Sequence, residues 1–303
     1  MICGICSGQN LIPNPSFEDT VNCPLFIGQL NYATFWFSPT PATPDYYNEC
    51  SSVFWPVSVN IPNTFVGFQY SRSGVGMAGL FPWYTTNGRE YIEVPLDSTL
   101  IVNVCYHFEM YINRANESTY ESYNLGAYFS DTLIYSSVDS VLPLIPQVAN
   151  VPGNLPDTLN WTLVSGDFIA LGGEKFLTIG NFEDDLGTDT ILINPSGNSG
   201  NYIYIDDVSL TRIPLIECAS SIMEQKENVI TIYPNPFADN LKVEVNNYEP
   251  TEIIFFDITS RKIFQQTFAN ITIINTEQLA KGMYLYEVRN TNGIIKNGKV
   301  IKQ

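Results

Sequence analysis

The sequence predicts an all-β chain built as two sandwiches: a jelly-roll β-sandwich and, behind it, a smaller immunoglobulin-like β-sandwich. Three observations lead there. Short runs alternating apolar and polar residues recur along the chain, cut by 20 Gly and 19 Pro. Aromatics that suit a pleated surface are frequent, with 18 Tyr and 18 Phe. No window sustains an apolar period of 3.6 residues, and no apolar run is long enough to cross a bilayer as a helix. At 303 residues the chain is long enough for two domains, each burying a core of its own.

Taken in order, residues 1–9 read as the remnant of a signal peptide. They hold Cys3-Gly-Ile-Cys6, which has redox or zinc spacing but lacks a βαβ context or a second pair. Residues 10–18 are a short apolar run stopped by Pro13 and Pro15, which confine it to an edge or a strand end. The passage 19–62 is rich in Pro and aromatics and alternates little, so it needs a disulfide or packed rings to hold it. A Gly-punctuated turn at 67–74 leads into the run 78–84. Strands are expected at 89–96, 100–113, 125–129, 158–170, 175–182 and 202–210. In the second of these, Val102, Val104, Tyr106, Phe108 and Met110 share one face. Residues 138–158 carry four prolines and are irregular. The total of about eight strands is that of a jelly roll, over residues 10–217, with a linker at 218–228 and seven short alternating runs from 229 to 303.

The closing strand concentrates the chemistry. Ile203 and Ile205 have one parity, Val208 and Leu210 the other, so the apolar face changes side across Asp206-Asp207, and a bulge there restores the register. Two adjacent acids in an apolar strand need a partner, and calcium is the natural one. Residues 1–217 carry 22 of the 31 acids but 5 of the 14 Lys and Arg, so this part holds the whole net charge of -17. That argues against nucleic acid or an anionic membrane as its partner.

Catalysis is hard to build from these residues. The single histidine, His107, falls on the polar face of a strand, and no nucleophile elbow, zinc-protease motif or phosphate-cradling loop occurs. A pair of carboxylates acting as a glycosidase stays open as an alternative. Sugar binding needs an aromatic platform with polar groups at its rim. Trp36, Tyr46, Tyr47, Trp83 and Tyr84, with Asp45, Arg72 and Arg89, have those types. Equally, Trp36, Trp55 and Trp83 can plug the ends of the sandwich, and Trp161 reads as core.

Two resemblances add to this reading. The segments 10–18 and 204–210 resemble the opening and closing strands of galactose-binding-like jelly rolls, the fold of many carbohydrate-binding modules. That resemblance implies a structural calcium between the two ends, held by Glu18 and one of Asp206 or Asp207. The tail resembles the type A C-terminal sorting domain of the type IX secretion system: Tyr233, Pro234, Asn235 and Pro236 open it, Leu279, Gly282 and Tyr284 follow, and Lys299 and Lys302 lie on a final basic strand. Ser260 departs from the Gly usual in one of its turns. The tail implies export through the type IX translocon. An exported chain is expected to pair its cysteines. Of three possible pairings of the remaining four, Cys23 with Cys50 and Cys105 with Cys218 is expected. Asp followed by Ser or Thr and then an apolar residue or Thr resembles the O-glycosylation acceptor of bacteria with this export system, which implies acceptors at Thr20, Ser98, Thr132, Ser140, Thr158 and Thr190. Turns before strands favour the same pairs. The expected function is therefore that of an exported, non-catalytic surface protein whose first domain binds a glycan or a protein. A structural surface-layer or adhesin component without a small ligand is the alternative.

Overall fold

The computed structural model describes residues 8–52, 58–84, 87–197, 200–215, 218, 230–245, 250–259, 261–290 and 293–303. Trp55, Ser260, the Cys3/Cys6 pair and all of the 218–228 linker but Cys218 lie outside them. The chain forms two compact units, Met1–Ile222 and Met223–Gln303.

The first unit holds β1 (Asp45–Asn48), β2 (Asn63–Thr64), β3 (Gly67–Phe68), β4 (Gly76–Trp83), β5 (Tyr91–Pro95), β6 (Cys105–Arg114), β7 (Tyr120–Glu121), β8 (Gly126–Ser130), β9 (Val148–Ala149), β10 (Thr162–Ile169), β11 (Phe176–Gly180), β12 (Ile191–Leu192) and β13 (Asn201–Ile213). Two sheets make the jelly-roll sandwich: one of five strands in the order β1-β4-β13-β6-β10, and one of four in the order β5-β11-β8-β9. The closing strand β13 lies in the middle of the larger sheet, antiparallel to β4 and to β6. Between the sheets pack Ala78, Leu80, Tyr106, Phe108, Met110, Ile203, Ile205, Val208 and Leu210 against Ile92, Val94, Phe129, Leu177 and Ile179. The expected bulge is present: β13 slips against β6 between Asp206 and Ser209, and Asp207 takes a left-handed φ of 49°. That slip lets Ile205 and Val208 reach the same core.

A second cluster lies on the outer face of the larger sheet, where Tyr47, Met77, Tyr202 and Tyr204 are covered by Val59, Ile61 and Val66. Strands β1 and β4 did not stand out in the sequence, because both are buried on both faces and so do not alternate. Val102 is 55% exposed rather than on the core face, since the chain does not become a strand until Cys105. Both disulfides are formed, Cys23–Cys50 and Cys105–Cys218.

The second unit holds β14 (Ile230–Tyr233), β15 (Asn240–Val245), β16 (Thr251–Phe256), β17 (Lys262–Phe268), β18 (Ile271–Asn275), β19 (Gly282–Asn290) and β20 (Gly293–Lys302). They form an immunoglobulin-like sandwich of two sheets, β14-β15-β18 and β17-β16-β19-β20. Alternate residues point inward, among them Leu241, Val243, Val245, Ile253, Phe255, Tyr284, Tyr286 and Val288. The turn containing residue 260 is tied by Asp257, whose Oδ1 accepts from the N–H groups of Thr259 and Arg261.

The Cys105–Cys218 bond closes a loop with a sequence separation of 113 residues. Replacing both cysteines with serine is expected to cost about 2–5 kcal/mol of stability, the usual range for such a bridge. Urea unfolding of the two proteins measures it.

Candidate functional site

The structure distributes the expected binding residues unevenly. Trp36 is core: its ring lies 4.7 Å from that of Phe17, and its Nε1 donates to the Asn14 carbonyl at 3.0 Å. Tyr46 and Tyr47 are fully buried, Tyr46 donating to the Phe17 carbonyl and Tyr47 sharing a 2.6 Å hydrogen bond with Tyr202. Asp45 is buried beside them, accepting from the Tyr202 hydroxyl at 2.5 Å and from the Gly28 N–H. Arg89 is buried too, donating to the Gly88 and Glu183 carbonyls and pairing with Asp185 at 3.1 Å. Trp83 Nε1 donates to the same Asp185 at 2.9 Å. These residues do not form an open platform. Rings that alternate poorly in sequence are here the filling under an irregular, proline-rich cover, and most of their polar atoms are hydrogen-bonded to one another or to nearby backbone, Arg89 Nε excepted.

An open aromatic groove does exist elsewhere. It has a volume of about 450 Å³ and is lined by Phe68, Gln69, Tyr70, Arg72, Asn116 and Trp161, with Ser71, Thr158 and Leu159 at its edges. Phe68 and Tyr70 are 53% and 58% exposed, with rings edge-on at 5.5 Å. One wall is the β2–β3 hairpin and the residues after it: the Phe68 N–H donates to Asn116 Oδ1 at 2.8 Å and the Gln69 N–H to the Pro62 carbonyl at 2.9 Å. Gly67 sits at φ 144°, and a Cβ there would stand 2.4 Å from Asn116 Oδ1. The other wall is the turn before β10, where Asp157 accepts from the Leu159 N–H and from Asn160 Nδ2, and Asn113 Nδ2 donates to the Asn160 carbonyl. Trp161, expected in the core, is half-buried and reaches this groove. Only Arg72 of the expected binding residues lies here. Tyr70 and Phe68 were missed because their turn carries no periodicity, with Gly67 and Gly74, which bracket it, as the available signal; Asn116 was missed because it lies in the short connection between β6 and β7.

The expected metal residues meet the same loop. Asp206 Oδ2 accepts from the N–H groups of Arg72 and Ser73 at 2.7 and 3.1 Å, and Asp207 accepts from Ser16 Oγ, Ser73 Oγ and the Arg72 guanidinium. Glu18 Oε1 accepts from the Val75 and Gly76 N–H groups, both at 2.9 Å. Calcium takes six to eight oxygen ligands. These carboxylate oxygens face N–H and O–H donors and a cationic side chain instead, and among the described residues no three acidic, histidine or cysteine side chains converge as a metal site. The donor set does not fit calcium.

His107 lies between two carboxylates, Nε2 at 3.1 Å from Glu109 and Nδ1 against Asp167. Burial pulls its pKa down, but the hydrogen bonds and charges of Asp167 and Glu109 outweigh that and raise it. Of the expected acceptors, Thr20, Ser98, Thr132 and Thr190 are exposed, while Ser140 and Thr158 are half-buried, Thr158 at the edge of the groove.

In the second unit the tail motif splits into two roles. Asn235 Oδ1 accepts from the Ile301 N–H at 2.9 Å, and the Phe237 N–H donates to the Ile301 carbonyl at 2.8 Å. The Gln303 N–H donates in turn to the Phe237 carbonyl, so this segment runs along the end of β20. Lys302 is buried, donating to the Ala238 carbonyl over the Phe237 ring, and the Tyr284 hydroxyl donates to the Ala280 carbonyl. By contrast Tyr233, Pro234, Asn235, Pro236, Gly282 and Lys299 are exposed, the Tyr233 hydroxyl donating to Glu244 and accepting from Lys242.

Fold and site thus describe a two-unit β-protein with an open groove on the first unit and a strand-clasped sandwich as the second. Residues 231–303 match the secretion system C-terminal sorting domain family. These residues are a type IX sorting domain, which marks the protein as secreted or displayed at the cell surface. No curated protein matches the chain. Among solved structures, it is similar to a xylan-binding domain of a Paenibacillus barcinonensis protein, at 12% identity, TM-score 0.38, over 68% of this chain and 96% of that one. It is also similar to a cleaved adhesin domain of Lys-gingipain from Porphyromonas gingivalis, at 13%, TM-score 0.30, over 68% and 100%. A third similarity is to the adhesin domain of Epf from Streptococcus pyogenes, at 9%, TM-score 0.27, over 98% and 97%. No helix among the described residues is long and apolar enough to cross a membrane.

Four buried carboxyls give a pH prediction. Burial raises the pKa of Asp45 and Glu90, lifts Glu93 to about 7 and lifts Asp206 to about 8. The folded state holds these protons at pH values where the unfolded chain has released them, so their contribution is fullest below the ordinary carboxylate range and is lost as pH rises through about 7 to 8. His107, also raised, acts in the same direction. The melting temperature is expected to fall from pH 5 to pH 8, and Glu93→Gln to flatten part of that slope; thermal unfolding across the range checks both.

Proposed function

We propose that the first unit is a non-catalytic binding module that takes a neutral glycan chain in the groove lined by Tyr70 and Trp161, and that the second unit delivers it to the type IX translocon. The observation that carries the reading is the groove itself: exposed rings on which a sugar's C–H face packs, bordered by the amides of Gln69 and Asn116 and the hydroxyls of Ser71 and Thr158. Charge selects among glycans. The one basic side chain lining the groove, Arg72, is already paired with Asp207, and the surrounding unit is strongly acidic, so uronate or sulfated chains are disfavoured. Binding rather than hydrolysis is favoured because the carboxyls raised toward neutrality, Asp45, Glu90, Glu93 and Asp206, are all buried away from any substrate.

Binding to a panel of neutral, uronate-bearing and sulfated polysaccharides tests the reading. Neutral chains are expected to bind, Tyr70→Ala and Trp161→Ala each to weaken binding by about tenfold or more, and Tyr84→Phe to leave it unchanged. Binding of sulfated chains alone, or indifference to both groove substitutions, overturns it. A second expectation concerns export: a chain ending before residue 231 is expected to stay inside the outer membrane, read by cell fractionation against the full chain.

A further inference from the structure

The three acids of the opening and closing segments, Glu18, Asp206 and Asp207, converge on one loop, residues 72–76, and the chemistry of that convergence is specific. Asp206 receives two backbone N–H groups of the loop on Oδ2, from Arg72 at 2.7 Å and Ser73 at 3.1 Å, while its Oδ1 receives the N–H of Asp207 at 2.7 Å. Asp207 receives the Ser73 hydroxyl at 2.6 Å, the Ser16 hydroxyl at 2.7 Å and the Arg72 guanidinium. Glu18 receives the Val75 and Gly76 N–H groups. Gly74, at φ 60°, permits the wrap: a Cβ there would stand 2.2 Å from the Glu18 carboxyl carbon. Arg72 is thereby fixed in three ways, by its backbone on Asp206, by its head on Asp207, and by its guanidinium carbon 3.4 Å from the centre of the Tyr111 ring.

We propose that Glu18, Asp206 and Asp207 form a metal-free clamp in which N–H donors and one guanidinium take the place of a cation, and that this clamp positions Arg72 and the preceding Tyr70 as a wall of the groove. The inference rests on the glycan reading of the groove for its functional half. The three acids are positioning residues; none of them lines the groove. The clamp does two things at once. It holds a loop of five residues against the bulge of β13, and it pairs the charge of Arg72, the one basic side chain lining the groove. A carboxylate that collects several N–H groups holds a backbone loop as a bound cation would, with the donor and acceptor roles reversed.

The test uses the full chain and two readouts. Amide hydrogen exchange at Arg72, Ser73, Val75 and Gly76 is measured with excess calcium and with a chelator, in the wild type and in Glu18→Gln and Asp207→Asn. Affinity for the neutral polysaccharide is measured on the same samples. The clamp predicts equal protection with and without calcium, and exchange at Val75 and Gly76 faster by roughly tenfold or more in Glu18→Gln, following the local opening equilibrium. It also predicts weaker glycan binding in Asp207→Asn with the melting temperature close to wild type. Protection that appears only with calcium, or exchange at Val75 and Gly76 unaltered by Glu18→Gln, overturns it. If the wild type binds no neutral glycan, the reading of the groove fails, and the clamp is decided by the exchange data alone. Should Glu18→Gln fold poorly, Ser73→Ala, which removes one hydroxyl from Asp207, gives the same decision through glycan affinity and exchange at Ser73.

Discussion

The placement of β13 between β4 and β6 is the constraint on which the first unit depends. A central strand must satisfy both neighbours along its length while feeding a core on one side, and this strand crosses a point where its apolar parity reverses. The bulge at Asp206-Asp207 resolves the conflict by inserting residues that β6 does not pair, with Asp207 in the left-handed region. Asp tolerates that conformation better than a β-branched residue does. Once the register is restored, Val208 and Leu210 join Ile203 and Ile205 in the core. The two acids turn toward the loop that borders the groove.

The electrostatics of the unit follow from where its acids sit. Most are on the surface and give the chain its net charge of -17. A few are buried, and the structure treats them in two different ways. Asp207, partly exposed, is held below the usual carboxylate range: burial works against it, but the Ser73 and Ser16 hydroxyls and the Arg72 charge prevail. Asp206, one residue away and buried, is pushed the other way, because desolvation outweighs its N–H partners and Asp207 repels it. Neighbouring acids with opposite shifts are what an asymmetric clamp requires: one carries the charge that meets Arg72, and the other serves as a backbone acceptor.

In the sorting unit the same economy of parts appears. The edge of the last strand, β20, is covered near its end by the segment that opens the domain, through Asn235 and Phe237, so this part of the tail motif has a folding role as well as an address role. Lys302 reads in sequence as one more basic residue of the tail, yet it is buried against Phe237 and the Ala238 carbonyl. Lys299 stays exposed on the same strand. Two lysines three positions apart fall on opposite faces of the strand, as alternation requires, and the inward one is accommodated because a distant backbone carbonyl, that of Ala238, accepts from it.

Alternation in the sequence determined the two-sandwich architecture, the strands at β5, β6, β8, β10, β11 and β13, and the bulge, because each is a local pattern of residue types; burial itself alternates clearly in β6, whereas β5, β8, β11 and the first half of β13 are covered on both faces. The sorting motif was legible because its elements recur at set spacing in one order. Only the tertiary structure decided which aromatics are filling and which are surface. Trp36, Tyr46 and Tyr47 look like binding residues in a proline-rich passage, but Tyr46 and Tyr47 lie on β1, covered on both faces, and Trp36 is packed into the core. Trp161 looks like core and borders the groove. The same holds for Glu18 and the Asp206-Asp207 pair, far apart in the chain, which meet on a third segment: its backbone N–H groups donate to Glu18 and Asp206, and its Ser73 hydroxyl and Arg72 guanidinium to Asp207. A sequence shows the chemistry a residue offers; whether that chemistry faces solvent or another part of the chain is set by contacts between segments that share no local pattern.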